Sequence, residues 1–465
     1  MLTEPEDLRT YECDGLTGRR VVPSLVALPE TTEQVQAVVR ACNEFGVPFV
    51  ARGAGTGLSG GALPVAEGIV VALARMNHVL EIDPESQRIV VQPGVTNLQV
   101  TEAVAADGLY YAPDPSSQQV CTIGGNVAEN SGGAHCLKHG FTVNHVTGLT
   151  AVLPDGEIVR LGGFGGDHPG PDVLGVFVGS EGTLGIATEI TLRLLRRPEA
   201  VVTQLAAFDS TDHAGAAVSD IIAARILPAA IEMMDRLTIE AAEAAVHADY
   251  PQAGAILIVE LDGVAQQVEE DLAALDRICR ENGAWEIRTA ADAAERALLW
   301  KGRKSAFGAM GRISQSYYVQ DGVVPRTKLP EVLRRIAELE REFGLRVGNV
   351  FHAGDGNLHP LVLYDEHVPG EADRARELAD AILVACIDAG GSLTGEHGVG
   401  TDKACAMPLM FGEDDLAVMQ RLRRGFDAAG LANPGKLFPT PRLCGEVPGP
   451  YRQHPLERAG LADRF

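Results

Sequence analysis

A run of thirteen residues, RGAGTGLSGGALP from Arg52 to Pro64, restricts the possible folds more than any other stretch of this sequence. It follows an apolar segment, residues 47–52, that predicts a short buried strand. Three of its glycines have the spacing G-x-G-x-x-G: Gly55, Gly57 and Gly60. The dinucleotide fingerprint with this spacing requires a helix to begin among the glycines, but Pro64 and then another glycine follow too soon for one. We therefore expect a loop whose backbone N–H groups can surround an anion, and not a Rossmann helix.

Two further segments, 113–140 and 179–186, are also rich in glycine and small polar residues. Glycine lets a backbone approach a ligand closely, and hydroxyl and amide side chains add hydrogen bonds. Three such segments in one region of the chain favour a cradle around a large polar ligand, for which FAD is suitable. A plain glycine-rich turn is the alternative for any one segment taken alone.

Residues 23–195 resemble the FAD-binding domain of the vanillyl-alcohol-oxidase and para-cresol-methylhydroxylase (PCMH) superfamily, through PSLVALPETTEQV, RGAGTGLSGG, GGNVAENSGG and GSEGTLGI. The resemblance implies a PCMH-type domain of two α/β subdomains. Some members attach flavin covalently to a histidine of the glycine loop; since no histidine lies between Arg52 and Pro64, we expect non-covalent FAD. The expected cofactor-binding residues are Arg52, Gly53, Ala54, Gly55, Thr56, Gly57, Ser59, Gly60, Pro113, Asp114, Ser116, Gly124, Gly125, Asn126, Asn130, Gly132, Gly133, Glu181, Gly182, Gly185, Ile186, Asn433 and Lys436.

The length of 465 residues predicts more than one domain. Thr31 and Gly46 bracket a predicted helix. After about residue 197 the pattern changes to alanine-rich helices alternating with strands, with helices predicted at 212–225, 231–247 and 264–282 and a strand at 255–263. We predict an α+β protein with an N-terminal segment 1–22, an FAD-binding domain 23–197, a substrate and metal domain 198–440 and a tail 441–465.

Composition and charge exclude several classes of protein. The formal net charge is −24, and no long Lys/Arg run suggests a nucleic-acid binder. No apolar run approaches the ~20 residues that span a bilayer. The acidic N-terminus does not resemble a signal peptide, so we expect a cytoplasmic protein that meets membranes only through partners. The cysteines form no C-x-x-C pair, so the sequence predicts neither an iron–sulfur cluster nor a zinc ribbon.

A second group of residues, which contains histidines and a glutamate, is the candidate for the reaction itself. His352 and His359 bracket a loop in VFHAGDGNLHP, and Glu396 and His397 follow a predicted helix at 374–389. Two imidazoles and a carboxylate suit Zn²⁺, Mn²⁺ or Fe²⁺ with a position open for substrate. The alternative is that these histidines only form hydrogen bonds within a polar loop.

Residues 205–439 resemble the C-terminal domain of FAD-linked 2-hydroxy-acid oxidoreductases, and stretches such as YECDGLTG, GRKSAF and GEHGVG resemble its branch of glycolate oxidase FAD-linked subunits. The resemblance implies a divalent metal on His352, His359 and Glu396, and NPGK at 433–436 matches the return of the chain to the flavin. A neutral imidazole suits proton abstraction, so His397 is the candidate base. Arg303 is the candidate for the substrate carboxylate, with Arg326 a weaker choice and a solvated helix charge the alternative.

The resemblance implies oxidation of glycolate, or of D-lactate, to the 2-oxo acid by hydride transfer to flavin. It also implies that electrons pass to a second flavin-type subunit and an iron–sulfur subunit. Val319 and Gln320 stand where the hydroxyglutarate branch has a substrate-binding lysine, which disfavours a dicarboxylate. A stand-alone D-lactate or D-2-hydroxy-acid dehydrogenase is the main alternative; a nicotinamide enzyme and a non-catalytic flavin scaffold are the others.

Overall fold

The structure, a computed structural model, describes residues 1–163 and 170–439. The chain forms two compact units. The first comprises the described residues of 1–132, 140–197 and 396–439, and the second comprises residues 133–139 and 198–395. The predicted tail, 441–465, lies outside the described residues, and the predicted domain bounds stay predictions.

The strands of the described chain run in order as β1 Leu25–Ala27, β2 Phe49–Arg52, β3 Ile69–Ala72, β4 Val79–Asp83, β5 Arg88–Val91, β6 Leu109–Tyr110, β7 Val146–Val152, β8 Ile158–Gly162, β9 Ile186–Arg193, β10 Leu195–Arg196, β11 Ala200–Phe208, β12 Ala230–Asp235, β13 Ala255–Gly263, β14 Glu286–Thr289, β15 Ser316–Val319, β16 Gly322–Val323, β17 Val347–His352, β18 Asn357–Leu358 and β19 Pro360–Tyr364.

The α-helices of the described chain are α1 Pro5–Leu8, α2 Thr32–Phe45, α3 Asn97–Ala103, α4 Ile123–Glu129, α5 Cys136–His139, α6 Val173–Phe177, α7 Thr211–Ala223, α8 Arg236–Val246, α9 Ala265–Glu281, α10 Ala293–Met310, α11 Leu329–Phe343, α12 Glu371–Asp388, α13 Met407–Met410 and α14 Glu413–Phe426.

The first unit holds two main sheets. A three-stranded parallel sheet has the order β1-β3-β2, and a five-stranded antiparallel sheet has the order β4-β5-β9-β7-β8. Helix α2 forms as predicted: the Thr31 side chain accepts from the Gln34 N–H, and Gly46 ends the helix with φ +65°. The apolar face of α2 packs on β2 and β3 through Val35, Val39 and Phe49. This packing places the end of β2, where the glycine run begins.

The second unit is built on one antiparallel sheet with the order β14-β11-β13-β12-β17-β18-β16, and β19 pairs with β15 and β17. Alternate residues of β11 point to opposite faces. Ala206 and Phe208 join a core with α7, α9, α11 and α12, whereas Leu205 and Ala207 join a core with α8 and α10. Helices therefore cover both faces of this sheet.

The helix predicted over 231–247 is wrong in its first part. Ala230–Asp235 is strand β12, and helix α8 begins at Arg236. The strand pairs with β13 on one side and with β17 on the other. A central strand is buried on both faces and reads as an apolar run, which local sequence does not distinguish from a buried helix.

Candidate functional site

The glycine run begins where β2 ends at Arg52, and no helix or strand forms between residues 53 and 68. The next regular element is β3, so the expectation of a loop without a Rossmann helix holds. Gly55 and Gly60 adopt φ of +71° and +80°, the left-handed region that favours glycine. The backbone turns twice within a few residues, as an anion-binding loop requires.

Close packing brings the other segments of the first unit to this loop. A Cβ on Gly400 would lie 2.1 Å from the Ser59 carbonyl oxygen, and one on Gly61 would lie 2.4 Å from Oε1 of Glu129. The Glu181 carboxylate accepts the Val399 and Gly400 N–H groups, both at 2.7 Å. The three glycine-rich segments therefore meet, together with residues 398–401.

Asn433 and Lys436 anchor the loop. Asn433 Nδ2 donates to the Gly61 and Glu181 carbonyl oxygens at 2.9 and 2.6 Å, and Lys436 Nζ donates to the Leu63 carbonyl oxygen at 3.0 Å. Burial lowers the pKa of Lys436 to about 8. Both side chains thus hold the cradle in shape.

The N-terminal segment contributes a contact that the sequence did not reveal. Arg52 Nη1 donates to the Cys13 carbonyl oxygen at 2.8 Å, and Asp14 Oδ2 accepts the Ala62 N–H at 3.2 Å. A Cβ on Gly15 would lie 2.6 Å from the Gly57 carbonyl oxygen. The segment therefore closes one side of the glycine loop; an aspartate–glycine pair is too common to have indicated this.

Some predicted cofactor residues use their side chains within the protein. Asn126 Oδ1 accepts from Asn97 Nδ2 at 3.1 Å, and Asn130 Oδ1 accepts the Val143 N–H at 2.9 Å. Ile186 packs in the core beside α2. Gly133 belongs to the second unit. At Asn126 and Asn130 the side-chain oxygen is therefore engaged within the protein.

The remaining polar groups of the cradle suit FAD. The buried hydroxyls of Ser59, Ser180 and Thr401 make no hydrogen bond within residues 1–163 and 170–439. Buried polar atoms need partners, and a ligand with pyrophosphate and ribityl groups supplies them. The residues present therefore fit this cofactor.

The histidine loop is a tight hairpin of the second unit. His352 ends β17 and pairs with Asn357 of β18, which brings His359 beside His352. Their rings lie 5.0 Å apart between centroids, at 89°. Gly356, at φ +81°, makes the turn, and a Cβ there would lie 2.1 Å from the Val324 carbonyl oxygen. The loop is therefore held in one conformation, with both imidazoles buried.

A buried ion-pair chain supports His352. Glu232 of β12 stands opposite His352 in the register, and Glu232 Oε1 lies 2.6 Å from His352 Nδ1. The other oxygen, Oε2, lies 2.6 Å from an Arg303 nitrogen, with side-chain exposures of 1% for Glu232 and 2% for Arg303. Burial acts to raise the pKa of Glu232, but Arg303 and His352 outweigh it and lower it. The alternative that Arg303 is a solvated helix charge is thus wrong.

Asp321 occupies the other side of His359. Its Oδ1 lies 3.8 Å from His359 Nδ1, and its Oδ2 accepts from Thr394 Oγ1 at 2.6 Å and from the Gly395 N–H at 3.0 Å. Asp321 therefore fixes the end of the segment that continues into Glu396.

Glu396 and His397 belong to the first unit, where His397 Nε2 lies 3.8 Å from Glu396 Oε1. A Cβ on Gly132 would lie 2.7 Å from Glu396 Oε2. Arg326, the second choice for the substrate carboxylate, is half-buried and donates to the Gly354 carbonyl oxygen at 3.1 Å.

Sequence reasoning missed Glu232 and Asp321 as parts of the site. Each is a lone carboxylate inside or beside a short apolar strand. A buried charge at such a position must have a partner, and this could have indicated both residues. The partner lies far along the chain, 120 residues away for Glu232 and His352.

Comparison with known proteins identifies the family. Residues 23–162 match the family described as "FAD binding domain", and residues 197–437 match "FAD linked oxidases, C-terminal domain". The chain belongs to the FAD-linked oxidase family. It is 50% identical to glycolate oxidase subunit GlcD of Escherichia coli (strain K12), over 98% of this chain and 91% of that one.

More distant relatives of this chain include both glycolate oxidase subunits and D-lactate dehydrogenases. The glycolate oxidase subunit GlcD of Bacillus subtilis (strain 168) is 39% identical, over 92% of each chain. A D-lactate dehydrogenase of Archaeoglobus fulgidus is 32% identical, over 93% of this chain and 96% of the relative.

Solved structures confirm the predicted α+β, PCMH-type fold. The 4-ethylphenol oxidase of Gulosibacter chungangensis superposes with a TM-score of 0.79 at 20% identity, over 94% of this chain and 93% of that one. p-Cresol methylhydroxylase with substrate bound gives a TM-score of 0.76 at the same identity and coverage.

The family membership makes the chain an FAD-linked oxidoreductase with FAD as its cofactor. Among the described residues, no helix combines the length and apolar character that crossing a membrane requires.

Proposed function

We propose that this chain oxidises a small 2-hydroxy acid, glycolate or D-lactate, to the corresponding 2-oxo acid. The observation that carries the proposal is the 50% identity, over 98% of the chain, with a glycolate oxidase subunit. The buried pair His352 and His359 supports it, since two imidazoles with ring centroids 5.0 Å apart suit a divalent ion that would bind the substrate hydroxyl. FAD, when bound, supplies the hydride acceptor.

We assign the substrate carboxylate to Arg303. Its Nε is buried and makes no hydrogen bond within the described parts of the chain, so a donor is available beside the one that faces Glu232. A guanidinium grips a carboxylate with fixed geometry. Glu232 neutralises the cation when substrate is absent, which reduces the free-energy penalty of burying it.

The donor set also suits a divalent metal, which we assign to His352, His359 and Glu396. Such an ion, when bound, supplies a Lewis acid toward the substrate hydroxyl. His352 donates its Nδ1–H to Glu232 Oε1, which leaves Nε2 of the ring pointing away from that carboxylate and able to bind a ligand. Asp321 constrains His359 and, through the Gly395 N–H, the residue that precedes Glu396.

His397 is the proposed base. It would take the hydroxyl proton of the substrate as the Cα–H bond breaks, a task suited to a neutral imidazole. Glu396, with an oxygen 3.8 Å from His397 Nε2, would stabilise the protonated ring.

Electrons that leave the flavin require an acceptor. We propose a complex with a second flavin-type subunit and an iron–sulfur subunit, supported by the word "subunit" in the names of the glycolate oxidase relatives. The chain would act in the cytoplasm and reach the inner membrane only through these partners. The D-lactate dehydrogenase relatives favour a second candidate, a stand-alone D-2-hydroxy-acid dehydrogenase.

A dye-linked assay tests the function. The purified chain, loaded with FAD, should reduce a redox dye with glycolate or D-lactate and much less with D-2-hydroxyglutarate. His359→Ala should lose at least 100-fold in rate and keep its FAD, whereas His367→Ala, at an exposed histidine of the same unit, should not change the rate. Dye reduction by none of these acids, with or without partner subunits, would reject the proposal.

Two further measurements separate the assigned roles. His397→Ala with bound FAD and full turnover would remove this residue as the base. Metal analysis that finds no stoichiometric divalent ion, together with a rate that chelators leave unchanged, would remove the metal.

A further inference from the structure

Inside the cradle of the first unit, Glu129 has a carboxyl oxygen that makes no hydrogen bond with the described residues. The residue is the last of helix α4, in the segment between Thr122 and Gly132 that meets the glycine run. Its Oε2 atom is buried and makes no hydrogen bond with any described part of the chain. A buried carboxyl oxygen without a partner is destabilising, so this atom calls for a ligand.

The surroundings of this carboxyl are fixed by backbone. A Cβ on Gly61 would lie 2.4 Å from its Oε1, and one on Gly398 would lie 2.2 Å from its Oε2 and 2.9 Å from Oε1 of Glu181. These distances put the two carboxyl groups within about 5 Å of each other, a separation at which like charges repel strongly.

The two carboxyls differ in their partners, and this decides which of them is charged. Burial raises the pKa of Glu181 as well, but Glu181 receives two backbone N–H groups, which oppose that rise, whereas Glu129 Oε2 receives none from the described residues. Burial, and then the charge of Glu181, raises the pKa of Glu129 well above its usual range; Asp14 adds to the rise, and Lys403 and Lys436 oppose it. Glu129 is therefore the neutral partner, and a neutral carboxyl carries an O–H donor.

We propose that Glu129 is an FAD-binding residue, whose Oε2 donates a hydrogen bond to an acceptor atom of the bound cofactor. The unpartnered hydroxyls of Ser59 and Thr401 lie against the same backbone: a Cβ on Gly60 would meet Thr401 Oγ1 at 2.4 Å, and one on Gly400 would meet Ser59 Oγ at 2.8 Å. A ligand with several acceptors satisfies all of these donors together. FAD carries such acceptors on its pyrophosphate and on its flavin ring, and an ionised carboxylate would repel the former. The proposal depends on the FAD cofactor and not on the identity of the substrate.

The experiment measures FAD binding to apoprotein by flavin fluorescence. Glu129→Gln keeps a neutral donor of the same size and should bind FAD within about twofold of the wild type. Glu129→Leu fills the space without a donor and should bind roughly tenfold more weakly. Glu102→Gln, at an exposed glutamate of helix α3, is the control and should match the wild type. The thermal midpoint of each apoprotein shows whether the fold is retained.

The pH dependence provides a second measurement should Glu129→Leu fail to fold. Wild-type affinity should fall as pH rises through the raised pKa of Glu129, because the donor is lost and a charge appears. Glu181, Asp14, Lys403 and Lys436 surround this position in both proteins, so the difference between wild type and Glu129→Gln isolates Glu129. Wild-type affinity in Glu129→Leu, a tenfold loss in Glu129→Gln, or parallel pH profiles for wild type and Glu129→Gln would each overturn the proposal.

Discussion

The cradle of the first unit consists of the glycine-rich segments and residues 398–401, and the histidine cluster of the second consists of His352, His359, Glu232, Arg303 and Asp321. The two are built from different parts of the chain. The cradle consists of backbone: glycines at which a Cβ would collide with a neighbouring segment, held by Asn433 and Lys436. The histidine cluster consists of charged side chains that project from paired strands, with Glu232 opposite His352. Specificity in the first comes from shape, and in the second from the balance of buried charges.

Cationic neighbours distinguish the carboxyl pKa values of the two regions. Burial raises the pKa of Asp14 and of Glu129 in the cradle. In the second unit burial also acts to raise the pKa of Glu232 and Asp262, but cationic neighbours lower both, whereas Asp235, which receives hydrogen bonds from neutral groups, keeps a raised pKa. A cofactor that carries polar groups can satisfy the cradle, whereas Glu232 and Arg303 of the second unit neutralise each other.

Removal of one charge from the cluster should have the largest effect. Glu232→Ala leaves the buried Arg303 without its counter-ion, which should reduce the free energy of unfolding by about 3–5 kcal/mol. Urea denaturation monitored by circular dichroism measures this change. Glu232→Gln, which keeps a hydrogen-bond acceptor, should lose less.

An exposed ion pair in the same unit serves as the control for this prediction. Arg280 and Asp276 pair on helix α9 with side-chain exposures of 59% and 39%, and Asp276→Ala should leave the stability unchanged within error. Equal, small effects of Glu232→Ala and Asp276→Ala would contradict the view that buried charges organise the second unit.

Substitution of a cradle glycine by alanine should have the next largest effect on stability. Gly400→Ala places a Cβ 2.1 Å from the Ser59 carbonyl oxygen at φ +53°, so backbone must move; we expect a loss of about 2–3 kcal/mol in unfolding free energy and little bound FAD. Gly57→Ala is the matched variant, because among the described residues its Cβ would approach only Glu129 Oε1, at 4.0 Å. Its apoprotein should be as stable as the wild type, and its FAD affinity should fall if the open side of this glycine faces the cofactor. Wild-type stability and FAD content in Gly400→Ala would contradict the packing.

Local sequence predicted the cradle well because its signals are local. The Thr31 cap and Gly46 bound helix α2 as expected, and the proline after the glycine run excluded a Rossmann helix from residue types alone. The contact of residues 13–15 with the glycine loop was not predictable, because it depends on how the N-terminal segment packs against a distant loop.

The histidine cluster was predictable only in part, because some of its contacts join residues that are far apart in the sequence. His352 and His359 are close in sequence, and a short hairpin brings them together. Glu232 depends on the register of β12 against β17, and the strand that carries it was predicted as the start of a helix. Long-range pairing overrides local propensity in a central strand, so the partner of His352 required the structure.

The smallest effect, a response to pH, should distinguish the two regions by its sign. Glu129 has a raised pKa, so its contribution to stability is present at low pH and is lost as pH rises through the folded value. Hydrogen bonds from His139 and Lys138 overcome burial and lower the pKa of Asp262 from 3.8 to about 2, so its contribution is present above the unfolded value and is lost as pH falls toward the folded one.

Hydrogen exchange, corrected for intrinsic rates, should therefore show α4 better protected at pH 5 than at pH 7.5, on the order of tenfold per unit of pKa shift. Strand β13 should be unchanged over that range and lose protection only below about pH 4, a loss that Asp262→Asn should abolish. Protection that changes in the same direction in α4 and β13 would contradict the distinction between Glu129, whose pKa is raised, and Asp262, whose pKa is lowered.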